Sequence, residues 1–300
     1  MSQELVKFSF DKVKQQKRIS RRIIFDKVVK NLFLFSTVFV LVVLGLLFYQ
    51  IVSESIGWID WEFLTSRLSI NANKAGIYSV IIGSAMLMTV VVPVTLSIGV
   101  ATAIYLEEYA NKSRFSHFVR INISNLSGVP SVIFGLLGLT VFGRLLNLGS
   151  SVLAGGLTMS LLVLPVVVVA SQESIRAVPS FLREASYAIG ATKWVTILRV
   201  VLPAALPGIL TGSILAISRA IGETAPLVVL GIPALILRVP QTLMDDFTAL
   251  PIQIYYWTLD SVLVREYANL AAATIVVLLS LLVVLNSIAI FIRNKFQKRF

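Results

Sequence analysis

The sequence predicts an all-α, polytopic membrane protein with six transmembrane helices. Composition gives the first reason. Of 300 residues, 57% are hydrophobic and only 14% charged, against about 25% charged in soluble domains, and the mean hydropathy is +0.88. Distribution gives the second, because the apolar residues fall in six long blocks almost free of charge rather than being scattered through a soluble core. The third is that the basic residues gather on alternate connections between those blocks. Cysteine is absent, which excludes disulfides, a thiolate nucleophile and a Cys-ligated metal. The single histidine, His117, excludes a His-rich metal or haem site and reads as a solvated residue of a connection.

Spanning a bilayer takes about 20 apolar residues. The blocks predict helices over about 31–53, 76–106, 121–146, 152–172, 205–231 and 267–292. The first follows a tail with nine basic residues, Lys7, Lys12, Lys14, Lys17, Arg18, Arg21, Arg22, Lys27 and Lys30. It is too long for the h-region of a signal peptide, roughly 7–15 residues, so an uncleaved first span is expected. Trp58 and Trp61 in the loop after it, and Trp257 in a second polar segment (about 232–266), suit the membrane–water boundary. Pro93 and Pro165 lie inside spans, where each removes a backbone donor. The third span carries Gly128, Ser131, Gly135 and Gly138, small residues that let helices approach closely. Glu107 and Glu108 read as a polar helix end. Three parts result: 1–75 with the basic tail, first span and an outer loop; 76–292 with the other spans; and a tail at 293–300.

Six spans put both termini on one side of the membrane. That side carries twenty Lys and Arg, including Lys112, Arg114 and Arg120 in one connection and Arg176, Arg183, Lys193 and Arg199 in another. The opposite side has five, Arg67, Lys74, Arg144, Arg238 and Arg265. The positive-inside rule then makes both termini and the 173–204 connection cytoplasmic. The net charge of +11 is a topology signal, and no nucleic-acid partner is needed to explain it.

The 179–203 connection is unlike a simple loop. Pro179 and Ser180 make a helix start, Gly190 is a natural helix stop, and Thr192 can cap a second short helix ending at Pro203. Ala185, Ala188 and Ala191 leave a small-residue face suited to a groove on another protein. Glu184-Ala185-Ser186, three residues, Gly190, nine residues, Val200, one residue and Leu202-Pro203 resembles the EAA loop of ABC-type importer permeases, departing from it only at Ser186 and Val200. The resemblance implies a type I ABC importer permease fold, with Glu184, Ala185, Ser186, Ala188, Gly190, Ala191 and Pro203 in contact with a separate cytoplasmic ATPase.

Further stretches, SGVPSVIFGLLGL (127–139), GATKWVTILRVVLPAALPGILTG (190–212), SRAIGETAP (218–226) and ALPIQIYYW (249–257), are similar to the phosphate importer permeases. GETAPL and ALPIQIY match the PstA type rather than its sister, the PstC type. The resemblance covers about 76–292 and implies a heterodimer with a homologous permease subunit, two copies of an ATPase and an extracytoplasmic phosphate-binding protein. ATP would be bound by the partner ATPase, since this chain has no GxxxxGK[ST] loop.

The fifth span has the features a substrate path needs. Gly208, Gly212, Ala216 and Ala220 form a smooth ridge four residues apart. Arg219 and Glu223 are also four apart and are expected to share a face. An arginine near the bilayer centre costs at least about 2.5–3.5 kcal/mol and must face protein or water. Two readings stand: an internal Arg219–Glu223 pair that locks packing, or an arginine fork offered to an oxyanion and held by Glu223. Ser131 either donates to the same anion or only allows close packing. The competing classes are a permease for sulfate, molybdate or phosphonate, an ion-coupled secondary transporter, and a membrane enzyme. The second predicts span repeats that the sequence does not show; the third lacks clustered catalytic groups.

Overall fold

A computed structural model of the chain describes residues 2–110, 114–236 and 238–296, without the side chains of 2–18, 20, 21 and 296. Lys112, Lys298 and Arg299 lie outside the described residues, as do the side chains of Lys7, Lys12, Lys14, Lys17, Arg18 and Arg21. Two compact units divide the chain, Met1–Ser53 and Glu54–Phe300. The first is essentially one helix, α1 (Ser2–Ser55). Its stretch Arg22–Ser55 is apolar enough to cross a membrane. It starts earlier than the expected 31–53 because the preceding residues are good helix formers that give the chain no reason to stop.

The second unit opens with α2 (Trp61–Thr65), capped by Asp60, whose Oδ1 accepts from the Phe63 N–H at 2.7 Å. A 3-10 turn (Ala72–Lys74) leads to α3 (Tyr78–Ile104), prolonged by a π-helical turn over Tyr105–Tyr109. Then come α4 (Arg114–Leu126) and α5 (Ser131–Leu137), the latter prolonged by a π-helical stretch to Leu145. After α6 (Val152–Arg176), two short helices follow, α7 (Ser180–Ala188) and α8 (Lys193–Thr196). A π-helical turn (Ile197–Val201) joins α8 to α9 (Leu202–Gly222). The chain continues through α10 (Ala225–Leu230), α11 (Leu250–Asp260) and α12 (Glu266–Phe296).

Among the described residues, five helices are long and apolar enough to span a membrane: Arg22–Ser55, Tyr78–Tyr109, Val152–Arg176, Lys193–Gly222 and Glu266–Lys295. The block expected as a further span is a pair, α4 and α5 with its extension, bent by 110°, which has the form of a broken span or a re-entrant loop. The straight helix expected over 121–146 is therefore corrected to two. Pro130 has no N–H and disfavours helical geometry at Val129, and the peptide groups between the helices close short turns instead, Gly128 N–H to Asn125 O at 3.0 Å and Val129 N–H to Leu126 O at 3.2 Å. Two further expectations change. The second short helix does not end at Pro203 but runs on into the span, because the π-helical turn just before accommodates the proline. The helix expected over 205–231 stops at Gly222 and restarts as α10, with Pro226 in its first turn.

Packing radiates from α6. Gly156 backs onto Val90 so closely that a Cβ there would lie 2.5 Å from the Val90 Cβ, and Gly99 of α3 backs onto Val167 of α6. These pairings run in the same order along both chains, so α3 and α6 are parallel. On the other flank Gly208 meets Ser174 and Gly212 meets the Ala170 methyl, an antiparallel match of α9 to α6. The ridge Gly208–Gly212–Ala216–Ala220 thus packs on α6 as its spacing suggested. Ala216 and Ala220 are buried with Leu87, Val91, Val163 and Phe247 in the central core.

The polar segment expected over 232–266 holds a surprise in α11. Its Leu250, Ile252, Gln253 and Trp257 are buried, so Trp257 is not an interfacial residue. Its ring lies 6.5 Å from Phe63, and its N–H reaches the Gln253 side-chain oxygen at 3.1 Å while Gln253 donates to Ala234 O. A buried indole needs such an acceptor. Just before it, the loop over 241–246 closes the start of α6. The free N–H groups of Val152 and Leu153 donate to Asp245 O and Leu243 O at 3.0 and 2.8 Å. The Asp245 carboxylate in turn accepts from the N–H groups of Gln241 and Thr242 and from the Thr242 hydroxyl.

Two outcomes follow from this packing. Gly212→Ala would push a methyl into Ala170 and should cost about 1–3 kcal/mol, seen as a lower thermal unfolding midpoint in detergent. Gly222→Ala, with nothing within 4 Å of the new Cβ, should leave the midpoint nearly unchanged. The three hydrogen bonds also hold the Asp245 pKa below the ordinary carboxylate value, first through the Gln241 N–H. Its folded-state pKa being depressed, its contribution is complete above the unfolded value of about 3.9 and disappears as pH falls through the folded one. Protection of the Gln241 and Thr242 amides, relative to the intrinsic exchange rate at each pH, should fall in that acid range, and Asp245→Asn should remove that fall.

Candidate functional site

The two short helices of the 179–203 connection are held by defined local chemistry. α7 starts at Ser180 with Pro179 in the cap position, so Ser180 is helical rather than the cap. It ends in a Schellman-type closure: Gly190 N–H donates to Tyr187 O at 2.9 Å and Ala191 N–H to Ser186 O at 3.2 Å. Gly190 sits at φ +86, where a side chain is strained although nothing lies within 4 Å of its Cβ position. Thr192 caps α8. The Ser186 and Thr196 hydroxyls hydrogen-bond at 2.9 Å inside the hairpin, so the departure from alanine at 186 supplies the link between α7 and α8.

Outward, the connection presents an apolar surface. Glu184, Ala185 and Ala188 are exposed together with Phe181 (62%), Ile189 (87%) and Trp194 (58%). Large exposed apolar side chains beside small ones form a surface that another protein can cover. Ala191 is half-buried at the turn, and Pro203 is half-buried in the first turn of α9.

Behind that surface lies an ion cluster that the sequence reading undervalued. Glu107 accepts from Arg120 Nη1 at 2.8 Å, Gln172 Nε2 at 3.0 Å and Arg176 Nη2 at 2.8 Å and Nε at 3.3 Å. Glu108 accepts from Arg183 Nε and Nη2 at 3.1 and 2.8 Å. The same Arg183 donates to Val178 O at 2.7 Å and Ile175 O at 2.9 Å, carbonyls at or just past the end of α6. The two carboxylates are nearly buried, with 11% and 8% of the side chain exposed. Lys193 of α8 stands over the Tyr109 ring at 4.9 Å from its centroid. One signal could have found this cluster: two carboxylates at a helix C-terminus oppose the helix dipole and need cationic partners.

Arg219 and Ser131 come together. Both line a cavity of about 280 Å³ between the α4–α5 bend, α6 and α9, with Ser127, Pro130, Val163 and Val166 among its other walls. Glu223 is not in that wall. It leaves helical geometry at φ −80 and ψ 124, which takes its side chain off the face it would share with Arg219. Among the described residues Arg219 forms no ion pair with Glu223. Beside it, Ser218 bonds Asn286 Oδ1 of α12 at 2.5 Å. Ser131 is the first residue of α5 and half-buried. His117 lies exposed on α4.

Long apolar helices around a glycine-packed centre, with an exposed hairpin of short helices, define a polytopic membrane protein. Residues 96–300 match the binding-protein-dependent transport system inner membrane component family, and the chain belongs to that family. It is 33% identical over 206 residues to the probable ABC transporter permease protein YqgI of Bacillus subtilis (strain 168), covering 69% of this chain and 70% of that protein. It is 36% identical over 216 residues to the phosphate transport system permease protein PstA 1 of Mycobacterium tuberculosis (strain CDC 1551 / Oshkosh), covering 70% of each. The crystal structure of a bacterial ABC transporter involved in the import of the acidic polysaccharide alginate has the same fold, with a TM-score of 0.59 at 14% identity over 92% of this chain and 99% of that one.

The closure of α7 gives a direct check. Gly190→Ala keeps the contacts but forces a side chain into left-handed geometry, at about 1–2 kcal/mol. Hydrogen exchange at the Gly190 and Ala191 amides should speed up by roughly tenfold, while Ala188→Gly, ahead of the turn, should weaken the helix without abolishing the closure.

Proposed function

We propose that this chain is the PstA-type permease subunit of an ATP-driven importer of inorganic phosphate. Both termini and the 179–203 connection face the cytoplasm in this reading. Its partners are a PstC-like permease subunit in a heterodimer, two copies of a PstB-like ATPase and a PstS-like extracytoplasmic binding protein. Glu184, Ala185, Ser186, Ala188, Gly190, Ala191 and Pro203 belong to the coupling surface, and the exposed Phe181, Ile189 and Trp194 enlarge the apolar face that the ATPase covers.

The observation that carries the substrate assignment is the cavity shared by Arg219 and Ser131, in which the guanidinium has no carboxylate partner among the described residues. An always-charged planar fork beside a hydroxyl suits a tetrahedral oxyanion. Similarity to PstA proteins supports phosphate as that oxyanion. Arg219 and Ser131 make the contacts in this reading, while Glu223 at the α9–α10 break adds a negative field that keeps the anion from staying too tightly.

Radiolabelled phosphate uptake by vesicles holding the whole complex tests the assignment. Arg219→Lys keeps the charge but loses the fork, and uptake should fall about tenfold or more, a hydrogen bond to a charged group being worth roughly 1.5–3 kcal/mol. Arsenate should compete with phosphate and sulfate should not. Unchanged uptake in the variant, or equal competition by sulfate, overturns the reading.

A further inference from the structure

The sixfold hydrogen bonding around Glu107 and Glu108 has a geometry that plain charge neutralisation does not require. The two carboxylates are adjacent in sequence, in the π-helical turn that ends α3, yet they serve different elements. Glu107 takes its partners from α4 (Arg120) and α6 (Gln172, Arg176). Glu108 takes its partner from α7 (Arg183). Arg183 also spreads its donors over two backbone carbonyls at the end of α6. One side chain of α7 is thus bonded to α3 and α6 at once, with all four of its hydrogen bonds at 3.1 Å or less.

We propose that Arg183 is a positioning residue that makes the end of α3 and the end of α6 move as one body with α7, a second route into the membrane beside the covalent one through α8 and α9. The inference rests on the coupling role proposed above for α7. A guanidinium locked in two directions transmits both push and pull, because displacement of α7 toward or away from α3 stretches either the carboxylate pair or the carbonyl bonds. The neighbouring apolar cluster of Ala103, Ile175, Val178, Val201, Ala205 and Ile209 contains residues of α3, α6, the α6–α7 link, the π-helical turn after α8 and the first turns of α9, and supplies the packed bed under this link. Motion delivered to α3 and α6 reaches the walls of the Arg219 cavity, of which Val163 and Val166 are part.

The test uses the complete complex with its ATPase in nanodiscs and needs no transported substrate, so its failure is separate from a failure of the phosphate assignment. Hydrogen exchange is followed at Tyr105–Tyr109 and at Ser180–Ala188 with and without a non-hydrolysable ATP analogue. In the unaltered complex both segments should respond to nucleotide. In Glu108→Gln, which leaves the carbonyl bonds of Arg183 in place, the response at 105–109 should shrink by roughly threefold or more, in keeping with coupling between residues in contact. That at 180–188 should persist. The reversed pair Arg183→Glu with Glu108→Arg should restore the response at 105–109 relative to either single change. An equal response at 105–109 in Glu108→Gln and in the unaltered complex overturns the proposal, as does a reversed pair no better than the single variants.

Discussion

In a hydrocarbon surround an apolar side chain gains little by leaving lipid for a neighbouring helix, so helices hold together where their backbones come close. In this chain that condition is met along both flanks of α6. Gly99 and Gly156 let α3 in on one side, and Gly208 and Gly212 let α9 in on the other. With three backbones brought together, some buried hydroxyls in this layer close on their own helices, as Thr95 does with Val91 O at 2.6 Å and Thr158 with Ala154 O at 2.7 Å, while those of Ser79, Ser171 and Ser213 have no partner among the described residues. The candidate sites lie at the margins of this three-helix layer: the arginine cavity beside it, and a polar structure at each end of α6.

Both ends of α6 use partners from elsewhere in the chain. Its first amides are satisfied by carbonyls of the 241–246 loop, and Arg183 bonds the Ile175 carbonyl in its last turn and the Val178 carbonyl just past it. A helix end without partners costs free energy in proportion to how dry it is, so each of these remote segments is held to α6 by the need to complete it. The loop at one end and the short-helix hairpin at the other are thereby referenced to a single rigid element. The departure from alanine at Ser186 belongs to the same economy, since its hydroxyl finds Thr196 within the hairpin.

The spans, the positions of the connections and the Gly190 stop were legible in the sequence because they depend on composition and on single residues with strong local preferences. The 110° bend was written there too, in Gly128 and Pro130, but a hydropathy block reads through a proline when the residues on both sides are apolar. Trp257 was misplaced for the opposite reason. It sits in a polar stretch, and the tertiary contact with Phe63, with the bond from Gln253 on its own helix to Ala234 O, makes it a core residue. The ion cluster joins residues up to 75 positions apart, a separation at which no periodicity carries information. Arg219 and Ser131 were each singled out in the sequence, but their common cavity depends on the bend, and the loss of the Arg219–Glu223 relation depends on where α9 stops.

The π-helical turn ahead of Pro203 gives the span beyond it a mechanical character. By swallowing the proline it leaves Lys193–Gly222 as one uninterrupted helix, on the order of 45 Å long at 1.5 Å per residue. Pro207 stands inside that helix, next to Gly208 where it rests on α6, so the contact lies between two arms of similar length. A tilt of about 5° about the midpoint would carry each end sideways by about 2 Å at that length, in opposite directions. The hairpin and the neighbourhood of Arg219 lie at the two ends of this one helix, so a tilt of it would displace both together.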